Sequence, residues 1–213
     1  MIHYFKNKKA IKDFKNKKYQ VGILSRPVPN ESKLFFSKLC SIPFSISGFV
    51  NERNTKKDIH ELIKNMLRQK IKFCSFYDKW LNDMSQICKI FCSFQEKDKI
   101  SFWLGSERGC KRFHVDMVPY RCLVTYSGQG TELLPDKAAD RNAFVDGKSN
   151  ENIIKNRSAI KYLNRWDVAI FRGGNNGILH RTPDSALNDR SSILMRLDDS
   201  TFLEQIEKIN TLN

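Results

Sequence analysis

The sequence predicts one domain of the α+β class, with helices in its first half and a sheet in its second half. Two helical segments are indicated between residues 55 and 92, because apolar side chains recur there every three to four positions. Beyond residue 99, short segments are either alternately polar and apolar or continuously apolar, as strands are. The chain has 213 residues and is 40% hydrophobic and 11% aromatic, which is enough to form one sizeable core.

The first twenty residues carry seven lysines and one aspartate, with Phe5, Ile11 and Phe14 among them. We expect residues 1–20 to form a short amphipathic helix or a mobile arm, whose lysines are a solvated face or bind an anionic surface. Pro27 and Pro29 end any helix, so Val21–Leu24 is predicted as the strand that opens the main domain, residues 21–213.

Helices are then predicted at three places before residue 92. A brief one spans Ser32–Leu39, and residues 42–48 follow it as a loop or edge strand. Thr55 and Asp58 have the spacing of a capping box, which predicts a helix over about 56–71. A broad apolar stripe predicts the next helix, to about residue 92. We expect both long helices to cover the sheet face that carries the side chains of Phe113, Val115 and Met117.

The strands of the second half are predicted from their period of two or from short apolar runs. They span residues 100–104, 112–117, 121–126, 168–171, 178–180 and 193–197. The chain is expected to end in a helix over about 201–211.

Two histidines and an aspartate within this predicted sheet indicate a metal site. Side chains two positions apart on a strand leave by the same face, so His114 and Asp116 are expected to point to one place. His180 follows the turn 173–177 on another predicted strand and is the natural third ligand. Two imidazoles and one carboxylate leave up to three positions of an ion open, as in non-heme iron(II) oxygenases.

An arginine and a serine follow this histidine on one strand face. Arg190 lies ten residues after His180, and Ser192 opens the apolar strand 193–197. A guanidinium beside a hydroxyl is suited to hold a carboxylate. Arg196 falls on the same face and is a rival for that role.

These motifs resemble the iron(II)- and 2-oxoglutarate-dependent oxygenases, over roughly the last half of the chain. The segment Gly128–Pro135 is similar to the Gly-rich hairpin and proline of prolyl-hydroxylase-like members, although His114 and His180 are 66 residues apart, a long spacing. The block from Phe113 to Asp198 is also similar to an uncharacterised bacterial domain family. The resemblance implies a double-stranded β-helix of the jelly-roll or cupin kind.

For the site, the resemblance implies iron(II) on His114, Asp116 and His180 and the cosubstrate 2-oxoglutarate, whose far carboxylate pairs with Arg190 and Ser192. It implies hydroxylation of a C–H bond. Tyr126 is a candidate to hydrogen-bond a cosubstrate oxygen or is an ordinary sheet aromatic. Two alternatives stay open: a non-catalytic cupin-like protein that binds a metal such as zinc, for metal homeostasis or partner recognition, and a basic nucleic-acid-binding module.

The charge is strongly basic, with a formal net charge of +14 and a pI near 9.6. Such a balance suits phosphate-rich partners. Lysine comes here with abundant Asn, Ile and Phe, as an AT-rich coding sequence produces, and no nucleic-acid motif is found, so the charge alone is weak support for nucleic-acid binding.

Six cysteines occur with no C-x-x-C pair, no secretory signal and no run long enough to span a bilayer. We therefore expect a cytoplasmic protein with reduced thiols. Cys110 is predicted on the face of His114 and Asp116, where it tunes or guards the metal or is a structural cysteine.

The polar segment 135–156 lies between the predicted ligand strands. Asp140, Arg141 and Asn142 are candidates for substrate contact, and an ordinary surface insertion is the alternative. The sequence does not name the substrate, which can be a small molecule or a macromolecule, or the oligomeric state.

Overall fold

A computed structural model describes residues 1–39, 43–65, 75–188 and 192–202 of the chain. It is a mixed structure of two β-sheets and several helices, as the sequence predicts. The strands are β1 Ile2–Tyr4, β2 Val21–Leu24, β3 Ser45–Asn51, β4 Lys99–Gly105, β5 Tyr120–Ser127, β6 Glu132–Leu134, β7 Lys161–Tyr162, β8 Val168–Arg172, β9 Leu179–Arg181 and β10 Ile193–Asp199. The α-helices are α1 Ser32–Leu39, α2 Thr55–Ile63, α3 Ser75–Gln95, α4 Arg141–Val145, α5 Asn150–Ile153 and α6 Asp184–Asn188.

The larger sheet has seven strands in the order β1-β2-β8-β5-β10-β4-β3. The pair β1–β2 is parallel and the other pairs are antiparallel. The smaller sheet has the order β7-β6-β9. Strands from distant parts of the chain are therefore neighbours: β5 is the central strand, and β10 lies between β5 and β4.

The helices cover one face of the seven-stranded sheet. The apolar stripe of α3 packs its buried side chains, Trp80 and Phe91 among them, against Val124, Ile170 and Met195 of the sheet. This large core explains why α3 forms although it is rich in aromatic residues, since packing outweighs propensity. The helix ends where Glu96 adopts a left-handed φ of 59° and the next amide, of Lys97, donates to the carbonyl of Cys92.

The opposite face of the seven-stranded sheet packs against the smaller sheet. Val21, Leu123 and Phe171 contact Leu133 and Ile178 there in a second apolar cluster. Alternation along β5 thus sends Leu123 toward the small sheet and Cys122 and Val124 toward the helices. The two sheets enclose the region in which the candidate site lies.

Residues 1–20 pack onto the rest of the domain. Strand β1 pairs with β2, and a 3₁₀ helix, Lys8–Asn16, buries Ile11 and Phe14 completely or almost so. The apolar residues that the sequence spaces among the lysines therefore face the core, while the lysines face outward.

The prediction that the long helices cover Phe113, Val115 and Met117 is wrong. Phe113 is buried in a third cluster with Leu134 and Ile153, away from α2 and α3, whereas Met117 is 97% exposed. The helices instead cover the face formed by β4, β5, β8 and β10, which offers a wider apolar surface.

Helix bounds differ from their predictions at the ends. The helix predicted over 56–71 is α2, Thr55–Ile63, and its expected last residues lie outside the described part of the chain. Thr55 does not cap α2; its hydroxyl lies 2.6 Å from that of Ser85 and links α2 to α3. The expected terminal helix is described only at residues 201 and 202. No helix in the described residues has the length and apolar character needed to cross a bilayer.

Candidate metal centre

The segment that carries His114 and Asp116 is not the regular strand that the alternation predicts. Only His114 pairs, in an isolated antiparallel bridge to His180, with N···O distances of 3.0 and 2.9 Å. After it, the carbonyl of Asp116 accepts a hydrogen bond from the amide of Gly174 at 2.7 Å rather than from a strand. The chain bends here because it follows the 173–177 turn instead of a neighbouring strand.

The three predicted ligands nevertheless meet. One ligand atom each from His114, Asp116 and His180 lies within 4.8 Å of the others. The two imidazole rings are 4.4 Å apart between centroids, and Nε2 of His180 lies 3.5 Å from Oδ2 of Asp116. His180 and Asp116 are buried, while His114 is half-buried. Solvent therefore reaches the cluster from the side of His114.

Backbone carbonyls orient both histidines. Nδ1 of His180 lies 3.0 Å from the carbonyl of Ile178, and Nδ1 of His114 lies 3.1 Å from that of Arg112. Because a carbonyl can only accept, each Nδ1 carries the proton and a neutral ring has its lone pair on Nε2. This is the arrangement in which a histidine presents Nε2 to a metal.

Asp116 is held on one oxygen only. Oδ1 accepts from the guanidinium of Arg121, which also donates from Nε to Asp198 at 2.7 Å. Oδ2 is buried and has no hydrogen-bond partner. An unpartnered carboxylate oxygen in a buried site is costly, and this one lies beside the lone pair of the His180 Nε2.

The environment shifts the pKa values of the two histidines in opposite directions. Burial lowers the pKa of His180 to about 4, although Asp116 opposes this, so the ring stays neutral at neutral pH. Burial also acts to lower the pKa of His114, but hydrogen bonds to Cys110 and to the Arg112 carbonyl outweigh it and raise that pKa. Protons therefore compete with a metal for His114 more strongly than for His180.

The donor set fits a divalent cation. Two ligands that share one ion lie roughly 3.0–3.5 Å apart when each bond is about 2.0–2.2 Å, and the His180 to Asp116 separation is 3.5 Å. A cation at this point would give Asp116 Oδ2 the partner that it lacks. Two imidazoles with one carboxylate suit iron(II) as well as zinc.

Of the two residues expected to hold a carboxylate, Arg190 lies outside the described residues and Ser192 is fully buried. The hydroxyl of Ser192 accepts a hydrogen bond from the guanidinium of Arg108 at 3.1 Å. Arg108 also donates to the carbonyl of Gln129 and the hydroxyl of Thr131, and no carboxylate among the described residues pairs with it. Burial lowers the pKa of Arg108 to about 10, as expected for a cation with only neutral partners.

Arg196, the rival arginine, contacts Asp198, the carboxylate that Arg121 also holds. Its Nε lies 3.1 Å from Oδ2 of Asp198, although the N–H is not aligned for a hydrogen bond. Its guanidinium lies over the rings of Trp103 and Phe202, each 5.3 Å from the centroid. Burial lowers its pKa. Arg196 therefore has local partners for both its charge and its flat face.

The structure does not bring Tyr126 to the cluster, contrary to the cosubstrate role considered for it. Tyr126 is 1% exposed and lies on the helix-covered face of β5, opposite to Arg121. Its hydroxyl donates to Asp83 at 2.9 Å, and burial raises its pKa well above the ordinary value. Its surroundings are those of an ordinary aromatic residue in the core of the sheet, which is the other interpretation of Tyr126 from the sequence.

Cys110 is exposed and lies beside the cluster, where a hydrogen bond with His114 lowers the pKa of the thiol. The residues of the 135–156 segment have local roles. Asp140 caps α4 by accepting from the amide of Ala143 at 3.0 Å, and Arg141 pairs with Asp136 and donates to the carbonyl of Gly177. Asn142 is exposed.

Two arginines of the site were not singled out from the sequence. Arg121 and Asp198 stand out only as opposite charges within two largely apolar strands, which is a weak signal for a buried pair. Arg108 lies in the turn before Cys110, and its local sequence gives no sign of its contact with Ser192.

No curated protein matches the sequence. A family model described as a protein of unknown function matches residues 6–198, which include His114, Asp116 and His180 and every strand except β1 and the last residue of β10. The chain therefore belongs to the family DUF1826.

Proposed function

We propose that the protein is an iron(II)- and 2-oxoglutarate-dependent oxygenase of the hydroxylase type and that its fold is a double-stranded β-helix. The observation that supports this best is that Asp116 Oδ2 is buried without a hydrogen-bond partner and lies beside His180, whose Nδ1–H on the Ile178 carbonyl leaves Nε2 available to a metal. Two facing sheets with the candidate ligands between them are compatible with that fold.

The cosubstrate requires a cation near the metal for its far carboxylate. The described residues offer Arg108, whose guanidinium contacts Ser192 and has no acidic partner. Arg190, two positions before Ser192, is the other candidate. The far carboxylate of the cosubstrate could replace the neutral oxygens that Arg108 now contacts. The resulting charge-assisted hydrogen bond is stronger than a bond to a neutral oxygen.

Bound iron, with 2-oxoglutarate and dioxygen, would supply the oxidation in which one oxygen atom enters a substrate C–H bond and the other enters succinate, with loss of CO₂. The chain's own residues orient this chemistry. The carbonyls of Ile178 and Arg112 fix the ring tautomers, and Arg121 fixes Asp116 while it leaves Oδ2 free. Burial of His180 and Asp116 excludes water from one side of the site.

The first test is metal binding. Purified without oxygen, the protein should bind one iron(II) per chain, and His114→Ala or His180→Ala should abolish tight binding. His60→Ala is the matched control, because His60 contacts Tyr77 outside the cluster. Stoichiometric iron retained by His114→Ala would contradict the ligand assignment.

The second test is the cosubstrate. Addition of 2-oxoglutarate to the iron(II) protein should produce the weak visible band of bidentate chelation. Arg108→Ala and Arg190→Ala should each be titrated, and at least one should weaken cosubstrate binding while the metal remains bound. Bound metal with no band in the wild-type protein would instead favour the non-catalytic metal-binding alternative.

A further inference from the structure

A second concave region lies outside the metal cluster, between the N-terminal segment and the 136–145 segment. It is a cleft of about 960 Å³. One wall is formed by Lys15, Lys17 and Lys18, at the end of the 3₁₀ helix, and another by Arg141 and Phe144. A neighbouring cavity of about 470 Å³ shares Met1, Gln20 and Asp136 with it, so the two lie side by side on the surface.

The walls are strongly and one-sidedly charged. Lys15, Lys17, Lys18, Arg141 and Arg172 line the cleft, and Lys137 and Lys161 line the neighbouring cavity. Asp136 is the only acidic residue among the described residues of both linings. Its carboxylate is already paired, because it accepts hydrogen bonds from Arg141 and, at 2.8 Å, from Gln20.

Most of this positive charge is not neutralised within the described chain. Lys17 and Lys18 are exposed and form no ion pair there. Arg172 donates only to neutral oxygens, among them the carbonyls of Tyr19 and Lys17 and the hydroxyl of Tyr120. Lys15 is paired with Glu96 at 3.1 Å, on the surface, where such pairs contribute little.

The N-terminal wall is also held in place rather than free to swing away. Arg172 of β8 gathers three carbonyls at the end of the 3₁₀ helix, those of Phe14, Lys15 and Lys17. Buried Phe14 packs under the guanidinium, which lies 5.3 Å from its ring centroid. The lysines are therefore presented on a rigid base, which lowers the entropic cost of binding an anion.

We propose that this cleft binds single-stranded nucleic acid through its phosphates. The cations are spread along two adjoining cavities instead of converging on one point, which suits a chain of phosphates better than one phosphate group. Phe144 and Val145, the latter 79% exposed, give the wall an apolar part for bases.

The cleft and the metal cluster share one short stretch of the chain. Val115, which lines the cleft, is the residue between His114 and Asp116. The inference does not rest on the proposed oxygenase function, since every residue that carries it lies outside the cluster.

The test is fluorescence anisotropy of the full chain with a labelled 12-nucleotide single strand, at several salt concentrations. The double variant Lys17→Glu/Lys18→Glu should weaken binding by about tenfold or more and lower the slope of log K against log salt by about 1.4, since each phosphate contact contributes about 0.7. The matched control is Lys56→Glu/Lys57→Glu, an adjacent lysine pair at the start of α2, which should bind as the wild type does.

The proposal is overturned if both double variants lose affinity equally, because the binding would then reflect net charge alone. It is also overturned if a mononucleotide displaces the strand at equal concentration, or if vesicles with anionic lipid bind with the same dependence on Lys17 and Lys18. Binding by metal-free His114→Ala should equal that of the wild type, so that failure of the metal assignment leaves this result intact.

Discussion

Oδ2 of Asp116 lies 3.5 Å from Nε2 of His180, and no hydrogen bond connects the two atoms. The Ile178 carbonyl places the proton of a neutral His180 on Nδ1, so two lone pairs face each other in a buried site. A cation between them would relieve this repulsion. The backbone at Ile178, directly after the 173–177 turn, thus prepares His180 to bind the proposed metal.

Replacement of Arg121 by methionine should destabilise the protein by about 3–5 kcal/mol, the usual cost of removing one partner from a buried ion pair. Arg121 is 13% exposed in its side chain and pairs with both Asp116 and Asp198, which are 1–2% exposed in theirs. The measurement is urea unfolding at pH 7 in chelator. Arg53→Met, at an exposed arginine, is the control, and equal losses in the two variants would contradict a special role for Arg121.

Acid should weaken the metal-free protein through His180. Its pKa falls from 6.5 to about 4 on folding because the ring is buried, so the unfolded chain binds more protons between these values. The contribution of His180 is therefore complete above about pH 6.5 and is lost as pH falls toward 4, at up to about 1.4 kcal/mol per pH unit. The measurement is urea unfolding between pH 4 and 7. His180→Gln, which lacks the titrating group, should show a smaller slope; identical slopes would contradict the assignment.

Gly173→Ala should disturb the metal cluster from a distance. A Cβ at this position would lie 1.9 Å from the carbonyl oxygen of Val118 and 2.6 Å from that of Asp116, so the ligand segment must move. We expect a loss of about 1–3 kcal/mol in stability and weaker iron binding, measured by unfolding and metal titration. Gly109→Ala, where a Cβ meets nothing within 4 Å, should change neither quantity.

Tyr126→Phe should reduce stability without affecting the site. It removes the hydrogen bond to Asp83 in a buried place, which costs about 1–3 kcal/mol. Because Tyr126 lies on the helix side of β5, affinities for iron(II) and 2-oxoglutarate should equal those of the wild type. A specific loss of cosubstrate affinity would restore the role that the sequence suggested for this tyrosine.

Much of the secondary structure follows from local pattern. The bounds of β2, α1, β4, β8 and β10 agree with the sequence predictions to within one or two residues, because each has an unbroken apolar period or run. The segment 112–117 has the same alternation and is not a strand, since a strand also needs a neighbour to pair with. Pairing is a property of the whole fold and is not visible in six residues.

For the candidate site, the sequence by itself determined the residue types, with H-x-D spacing and a distal histidine, and it predicted that His114, Asp116 and His180 would meet. Only the tertiary structure decided which other groups surround them. Arg121 reaches Asp116 and Asp198, and Arg108 reaches Ser192 across 84 positions of sequence. These contacts depend on the order and register of β5, β10 and the turns between them. Order and register are fixed by the sum of many weak packing contacts between distant segments, whereas periodicity is fixed by each segment alone.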